Sequence, residues 1–146
     1  KNIKIIQDSA ESLSSTFNNK HTGVFADAVT FSFYANKLIT TGEGGIVCFK
    51  NKKYFNIAKL IKNHGMNSSK KYYHILPGKN LRMTNLSAAI GCGQMENINK
   101  IIEERNFIFK NYRDKLTNYI TEPKINKSAT QGPWLFTGVL DKIKSK

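Results

Sequence analysis

Residues 28–49, AVTFSFYANKLITTGEGGIVCF, constrain the fold of this chain more than any other stretch. The first seven residues alternate the apolar side chains of Val29, Phe31 and Phe33 with outward-facing positions, which predicts a strand. GGIVCF predicts a second strand, reached through the glycine-rich turn TTGEGG. A single lysine, Lys37, lies between the two. Either the glycines form a plain hairpin turn beside a solvated lysine, or the turn holds the amine in place.

Further elements follow from periodicity. IKIIQD near the start is a short, continuous apolar run, which is typical of a buried parallel strand. Apolar residues at helical spacing predict a helix over 52–63 and one long helix over 84–116, with Thr84 as its N-cap. In the long helix, Gly91 and Gly93 indicate close packing or a kink.

The remaining stretches complete an alternating order of strands and helices. Residues 64–80 have no periodicity and form a long loop, and such loops are often functional. WLFTGVL, residues 134–140, predicts a last strand. The order indicates an α/β protein.

Charge alone would allow a different class of protein. The chain has 146 residues and a formal net charge of +13, but only three of its 23 basic residues are arginines. The lysines are spread along the chain, with only short pairs such as Lys52-Lys53 and Lys70-Lys71. A basic nucleic-acid-binding module therefore remains an alternative that the spread of charge disfavours.

Cysteine and histidine usage bounds the compartment and the metal chemistry. Cys48 and Cys92 form no CxxC pair, which favours a reducing compartment such as the cytoplasm. The three histidines have no metal-ligand spacing. The sequence contains neither a signal peptide nor an apolar run of about 18 residues, so nothing in it indicates secretion or a membrane span. Because the chain starts without methionine and both ends resemble strand neighbourhoods, we expect a piece of a longer protein.

Two charged residues come shortly after predicted strands. Asp8 comes after IKII, and Lys37 comes shortly after AVTFSFY. Ligands of α/β proteins gather at the carboxyl ends of strands, so both side chains could face one crevice. Pyridoxal phosphate needs a lysine amine for its Schiff base and an anion beside its pyridine nitrogen. The residues alone leave simpler alternatives open, in which Asp8 caps a turn and Ser32 is an ordinary outward strand serine.

Several segments together resemble one enzyme family. QDSAES, GVFAD, FSFYANK and TTGEGG, followed by NHGM and GKNLRMTNLSAAIGCGQME, are similar to the motifs of DegT/StrS-type sugar aminotransferases, which are fold-type I pyridoxal-phosphate enzymes. The combination most resembles the perosamine synthase branch, and the resemblance covers roughly residues 1–120.

The resemblance implies a fold and a domain division. It implies part of the large domain, a mostly parallel sheet flanked by helices, leading by a long helix into the start of a small C-terminal domain. Residues 1–95 would belong to the large, cofactor-binding domain. Residues 96–146 would form the connecting helix and the beginning of the small domain. Family members are more than twice this length.

It also implies site roles. Lys37 corresponds to the lysine that binds the cofactor, and Asp8 to the partner of its pyridine nitrogen. Ser32 corresponds to a serine that holds the cofactor phosphate. Asn80 corresponds to an asparagine that reaches the phosphate in the neighbouring subunit of a homodimer.

Other positions are assigned less directly. Ala10 would lie against the ring face of the cofactor. Glu11 occupies a position near the ring oxygen that is often Gln or His in the family, so its identity departs from the common pattern. Four residues are either substrate-side or packing residues: His64, Tyr72, Tyr73 and Trp134.

The implied activity is transfer of an amino group from L-glutamate to a nucleotide-linked 4-keto-6-deoxy sugar, for a surface polysaccharide or glycan. A sugar dehydratase is the alternative within the family, but those relatives carry histidine where this chain has Lys37. An inactive truncated fragment is a further alternative. The residues do not choose among GDP, UDP and dTDP sugars.

Overall fold

A computed structural model of the chain describes residues 3–140, which contain eight short strands, three α-helices and one 3₁₀ helix at Thr22–Phe25. The strands are β1 (Ile6–Asp8), β2 (Thr16–Phe17), β3 (Lys20–His21), β4 (Ala28–Ser32), β5 (Gly45–Phe49), β6 (Ile120–Thr121), β7 (Ala129–Thr130) and β8 (Val139–Leu140). The helices are α1 (Lys52–Lys62), α2 (Asn85–Glu96) and α3 (Ile98–Leu116).

The main sheet has the order β1-β4-β5. β1 runs parallel to β4, with Asp8 opposite Thr30, whereas β5 is antiparallel to β4, with Gly45 opposite Ser32. The predicted α/β class and the strands over 28–49 are confirmed. Of the mostly parallel sheet that the resemblance implies, the described residues contain one parallel and one antiparallel pairing. The parallel pair places the carboxyl ends of β1 and β4 at the same edge.

The apolar run at the start of the chain is a strand, but the prediction that it is buried is wrong. Ile3, Ile5 and Ile6 are all exposed, Ile6 at 79 %. β1 is an edge strand paired only with β4, and the neighbouring helix α1 packs against β5. An apolar groove therefore remains between β1 and α1.

The single long helix of the prediction is two helices. Thr84 is the N-cap as predicted, and its hydroxyl accepts a hydrogen bond from the backbone N–H of Ser87 at 3.1 Å. The break falls at Asn97, whose side-chain amide donates to the Gly93 carbonyl at 2.9 Å while its backbone N–H donates to Gln94. Asparagine competes with the helix for backbone partners in this way, so α2 ends one residue earlier and α3 begins one residue later.

The C-terminal segment joins the rest through two small sheets. β7 pairs with β2 in the order β3-β2-β7, and β8 pairs with β6. The predicted strand over 134–140 is a strand only at Val139–Leu140. The residues that follow β7 contact the loop after β1, where the Gly132 N–H donates to the Ser15 hydroxyl. No helix within residues 3–140 is both long and apolar enough to cross a membrane.

Candidate active site

Lys37 lies in the turn after β4 and is held by the residues on both sides of it. Its backbone N–H donates to the Tyr34 carbonyl at 3.0 Å. Leu38 and Ile39, which follow directly, belong to the small buried apolar core, at 6 % and 1 % exposure. The Lys37 side chain itself is only 12 % exposed. Burial of the two following side chains fixes the point from which the amine projects.

The turn is also fixed to helix α2. The side-chain amide of Gln94 donates to the Thr40 carbonyl at 2.5 Å, and its oxygen accepts from the Thr40 N–H at 2.9 Å. The helix approaches closely at Gly91, where a Cβ atom would lie 2.9 Å from the Thr41 methyl group. Of the two alternatives for Gly91, close packing is therefore the one observed.

The glycines of TTGEGG serve the return into β5. Gly44 has φ +133°, and a Cβ atom on Gly45 would lie 2.6 Å from the Phe31 carbonyl oxygen of β4. A side chain at either position would strain the backbone or collide with it. The segment is thus a hairpin connection, but a long one that holds Lys37.

Asp8 is the last residue of β1, and its two carboxylate oxygens differ in their hydrogen bonds. Oδ1 accepts hydrogen bonds from the Ala10 N–H at 3.0 Å and from the Thr30 hydroxyl at 3.3 Å. Oδ2 accepts none from the residues that the structure describes. The bond to Ala10 is the turn cap of the simpler alternative. The second oxygen stays available at the sheet edge.

Two side chains contact the amine of Lys37. Glu11, in the loop after β1, places a carboxylate oxygen 3.7 Å from Nζ. Trp134, in the segment after β7, places its ring centroid 4.1 Å from Nζ. The indole N–H of Trp134 also donates to the Asn36 carbonyl at 3.1 Å. Ala10 and Glu11, both predicted site residues, lie in the loop directly after Asp8, and Glu11 reaches the amine.

Ser32 and Asn80 make local hydrogen bonds. The Ser32 hydroxyl accepts from the Tyr34 N–H at 3.2 Å. The Asn80 side-chain oxygen accepts from Arg82 at 3.0 Å, and the Asn80 backbone pairs with Asn63. Asn80 does not cap the following helix, because Thr84 is its N-cap. Among the described residues, no hydrogen bond or ion pair joins Asn80 to Lys37 or Asp8.

The other candidates diverge. His64 adopts φ +61° and its carbonyl pairs with the His74 ring at 2.8 Å. Tyr72 is 85 % exposed, and Tyr73 lies under the Lys70 amine at 4.9 Å. Of the four, only Trp134 reaches Lys37. No three His, Cys, Asp or Glu side chains within residues 3–140 are grouped closely enough to hold a metal ion.

Sequence reasoning missed two contacts at this site. Gln94 lies in the motif GKNLRMTNLSAAIGCGQME, but nothing in the local sequence indicates that its side chain pairs with Thr40. The Trp134 contact joins segments 98 residues apart, counted to Asn36, and no spacing in the sequence indicates it.

Comparison with known proteins identifies the family to which the chain is similar. The model of the DegT/DnrJ/EryC1/StrS aminotransferase family matches residues 1–145. A GDP-perosamine synthase of Vibrio cholerae is 38 % identical over 140 residues, which cover 95 % of this chain, and one of Caulobacter vibrioides is 34 % identical over 93 % of it. This chain spans 38 % of the length of each of these relatives.

Solved structures agree on the fold. A Streptococcus pneumoniae protein assigned as a sugar aminotransferase, in its PLP-form, superimposes with a TM-score of 0.86 at 25 % identity, over 96 % of this chain and 38 % of its own. A GDP-4-keto-6-deoxymannose-3-dehydratase mutant with bound GDP-perosamine gives 0.81 at 26 % identity, over 98 % and 42 % of the two chains. The chain belongs to the DegT/DnrJ/EryC1/StrS aminotransferase family, whose cofactor is pyridoxal phosphate.

Proposed function

We propose that this chain carries the lysine-bearing part of the active site of a nucleotide-sugar aminotransferase. One observation carries the proposal: an almost buried lysine amine and a half-tethered carboxylate follow neighbouring parallel strands at the same sheet edge. The names of the relatives support the substrate class, because the similar curated enzymes are GDP-perosamine synthases.

The residues present fit pyridoxal phosphate. The cofactor requires an amine held near a carboxylate that can accept a hydrogen bond from a pyridine N–H. Lys37 supplies the amine, and Oδ2 of Asp8 is the free acceptor. When bound, the cofactor withdraws electrons from the amino-acid Cα so that its proton can leave.

Each residue has a task that its hydrogen bonds allow. Lys37 binds the cofactor and, once released, takes up and returns the Cα proton as general base and acid. Asp8 keeps the pyridine nitrogen protonated through Oδ2, while Oδ1 anchors the side chain. Ala10 leaves room for a planar ring. Glu11 places a carboxylate oxygen 3.7 Å from the amine and forms an ion pair with it.

Ser32 and Asn80 retain donors for a phosphate. Ser32 accepts from Tyr34 through its oxygen, which leaves its O–H free to donate. Asn80 accepts from Arg82 through its side-chain oxygen, which leaves its NH₂ group free. In the proposed homodimer, Asn80 donates to the phosphate held by the partner subunit.

The remaining assignments rest on this role. We place residues 1–95 in the large domain and 96–146 in the connecting helix and small domain, which the helix break at Asn97 supports. A cytoplasmic location is supported by Cys48 and Cys92, which are exposed and not in a disulfide. The product would enter a surface polysaccharide or glycan.

The test is amino transfer by the complete gene product. It is incubated with L-glutamate and, separately, with GDP-, UDP- and dTDP-linked 4-keto-6-deoxy sugars. Formation of 2-oxoglutarate and amino sugar in equal amounts is expected with one nucleotide series, and Lys37→Arg should abolish both. Loss of a sugar hydroxyl without amine transfer, or no reaction with any sugar by protein that holds the cofactor, would contradict the proposal.

A further inference from the structure

The ring of Trp134 lies over the amine of Lys37. The ring centroid lies 4.1 Å from Nζ, within the range of a cation–π contact. At the same time the indole N–H donates to the carbonyl of Asn36, the residue directly before Lys37. One side chain therefore holds both the amine and the backbone from which it projects.

The segment that presents Trp134 is itself firmly held. The Gly132 N–H donates to the Ser15 hydroxyl at 2.9 Å, and a Cβ atom on Gly132 would lie 2.4 Å from the Leu13 carbonyl oxygen. Pro133 is fully buried, and the Trp134 N–H donates back to the Gly132 carbonyl at 2.9 Å. Only glycine can approach the Leu13 backbone this closely at position 132. The turn that presents the indole therefore packs directly against the loop after β1.

Glu11 cannot do the same work. Its side chain is 61 % exposed, and an ion pair of 3.7 Å at such an exposed position is weakened by water and salt. The Lys37 side chain is 12 % exposed. A cation–π contact is stronger where water is excluded, and this is the condition under the indole.

We propose that Trp134 is a positioning residue for Lys37. Its ring covers the amine and keeps it in place whenever the amine is not bonded to the cofactor, and its N–H fixes the preceding peptide. The catalytic consequence rests on the proposed aminotransferase function. The contact itself does not. The C-terminal segment thus contributes the Trp134 side chain to the site, and the pairing of β7 with β2 holds this segment in place.

The first test measures the contact without the cofactor. Cofactor-free gene product is treated with limiting acetic anhydride, and acetylation of each lysine is followed by peptide mass spectrometry. Lys100, with 75 % of its side chain exposed, is the internal reference. Trp134→Ala should raise the Lys37 rate about tenfold relative to Lys100, and Trp134→Phe, which keeps an aromatic face, by much less. Phe107→Ala, at an exposed aromatic position on α3, is the matched control and should change neither rate.

The second test measures the consequence in the loaded enzyme. A misplaced amine should lower kcat about tenfold or more in Trp134→Ala, with a smaller change in the KM for glutamate, and Trp134→Phe should recover part of it. An unchanged Lys37 acetylation rate in Trp134→Ala would overturn the positioning role. So would raised acetylation with unaltered kcat. Attachment of the cofactor to another lysine in the wild type would instead overturn the proposed function, and that result is read separately by borohydride trapping.

Discussion

At the C-terminal end of β1, one carboxylate oxygen of Asp8 accepts hydrogen bonds from within the protein. The other oxygen is left without a hydrogen bond from the described residues at the sheet edge. The bonds from Ala10 and Thr30 hold the side chain in a fixed rotamer. A residue that caps a turn through one oxygen therefore keeps its second oxygen for the cofactor contact proposed above.

Asp8→Asn is expected to separate these roles. The amide oxygen can still accept from Ala10 and Thr30, so the protein should fold and hold the cofactor. A neutral partner cannot keep the pyridine nitrogen protonated, so kcat of the glutamate half-reaction should fall by about 10²–10³. Thr30→Val, which removes one tether but no charge, is the control and should cost far less. Undiminished turnover in Asp8→Asn would show that the carboxylate has no part in the chemistry.

A second carboxylate, Asp27, stabilises the start of the same strand pair. The Ile5 N–H donates to its Oδ2 at 3.1 Å and the Lys4 amine to its Oδ1 at 3.2 Å. The backbone bond from Ile5, followed by the Lys4 contacts, lowers the pKa of Asp27 below its usual value of 3.8. The charged form is thus favoured in the folded state.

The lowered pKa of Asp27 predicts a pH dependence of a definite sign. Its contribution to folding is present above pH 3.8 and is lost as the pH falls through the lower folded-state value. Asp27→Asn should therefore unfold at a lower urea concentration than wild type at pH 7, and the two midpoints should converge below pH 3.8. A gap that stays constant down to pH 2 would contradict the assignment.

Residue types and local order predicted the candidates Asp8 and Lys37, because both come at or shortly after the end of a strand, whereas Ser32 was assigned through the family resemblance. Local order could not predict Trp134 as a neighbour of Lys37. That contact depends on the β2–β7 pairing, which is two residues long and carries almost no hydrophobic pattern.

At the scale of elements, the sequence predicted helices better than their ends. The apolar spacing is continuous across 84–116, so periodicity alone indicates one helix. The break depends on a single side chain, Asn97, that takes a carbonyl from its own helix. The burial of β1 was overestimated for a related reason, because an apolar run does not show how many of its sides are covered.

The contact between α2 and the lysine turn gives a prediction for Gln94. Gln94→Leu leaves the N–H and carbonyl of Thr40 without their partners, which should destabilise the protein by about 1–3 kcal/mol. Amide exchange should rise most at Thr40 and its neighbours. Gln131→Leu, at an exposed glutamine, is the matched control and should be nearly neutral. Unchanged protection at Thr40 would show that the turn does not depend on the helix.

At the scale of the whole molecule, the chain spans 38 % of the length of the GDP-perosamine synthases described above, and its buried apolar core is small. The division into a large domain (residues 1–95) and the start of a small domain (96–146) stays a prediction, because the chain contains only part of each. So does the proposed sharing of sites between subunits, which depends on the free donor of Asn80.

Sharing of sites can be tested by mixing inactive subunits of the complete gene product. Lys37→Ala and Asn80→Ala subunits, mixed in equal amounts and exchanged, should recover up to about a quarter of wild-type activity, because each heterodimer has one site with both residues intact. Mixing Lys37→Ala with Asp8→Ala is the control, since both residues belong to the same chain's site and no recovery is expected. No recovery in the first mixture, despite proven exchange, would place Asn80 and Lys37 in one chain's site.

The most direct test of the account is the identity of the lysine that binds the cofactor. The complete gene product is loaded with pyridoxal phosphate, reduced with borohydride, digested and analysed by mass spectrometry. The account predicts the reduced cofactor on Lys37 alone, with no label in Lys37→Arg and full label in the matched control Lys100→Arg. Label on any other lysine in the wild type would contradict it.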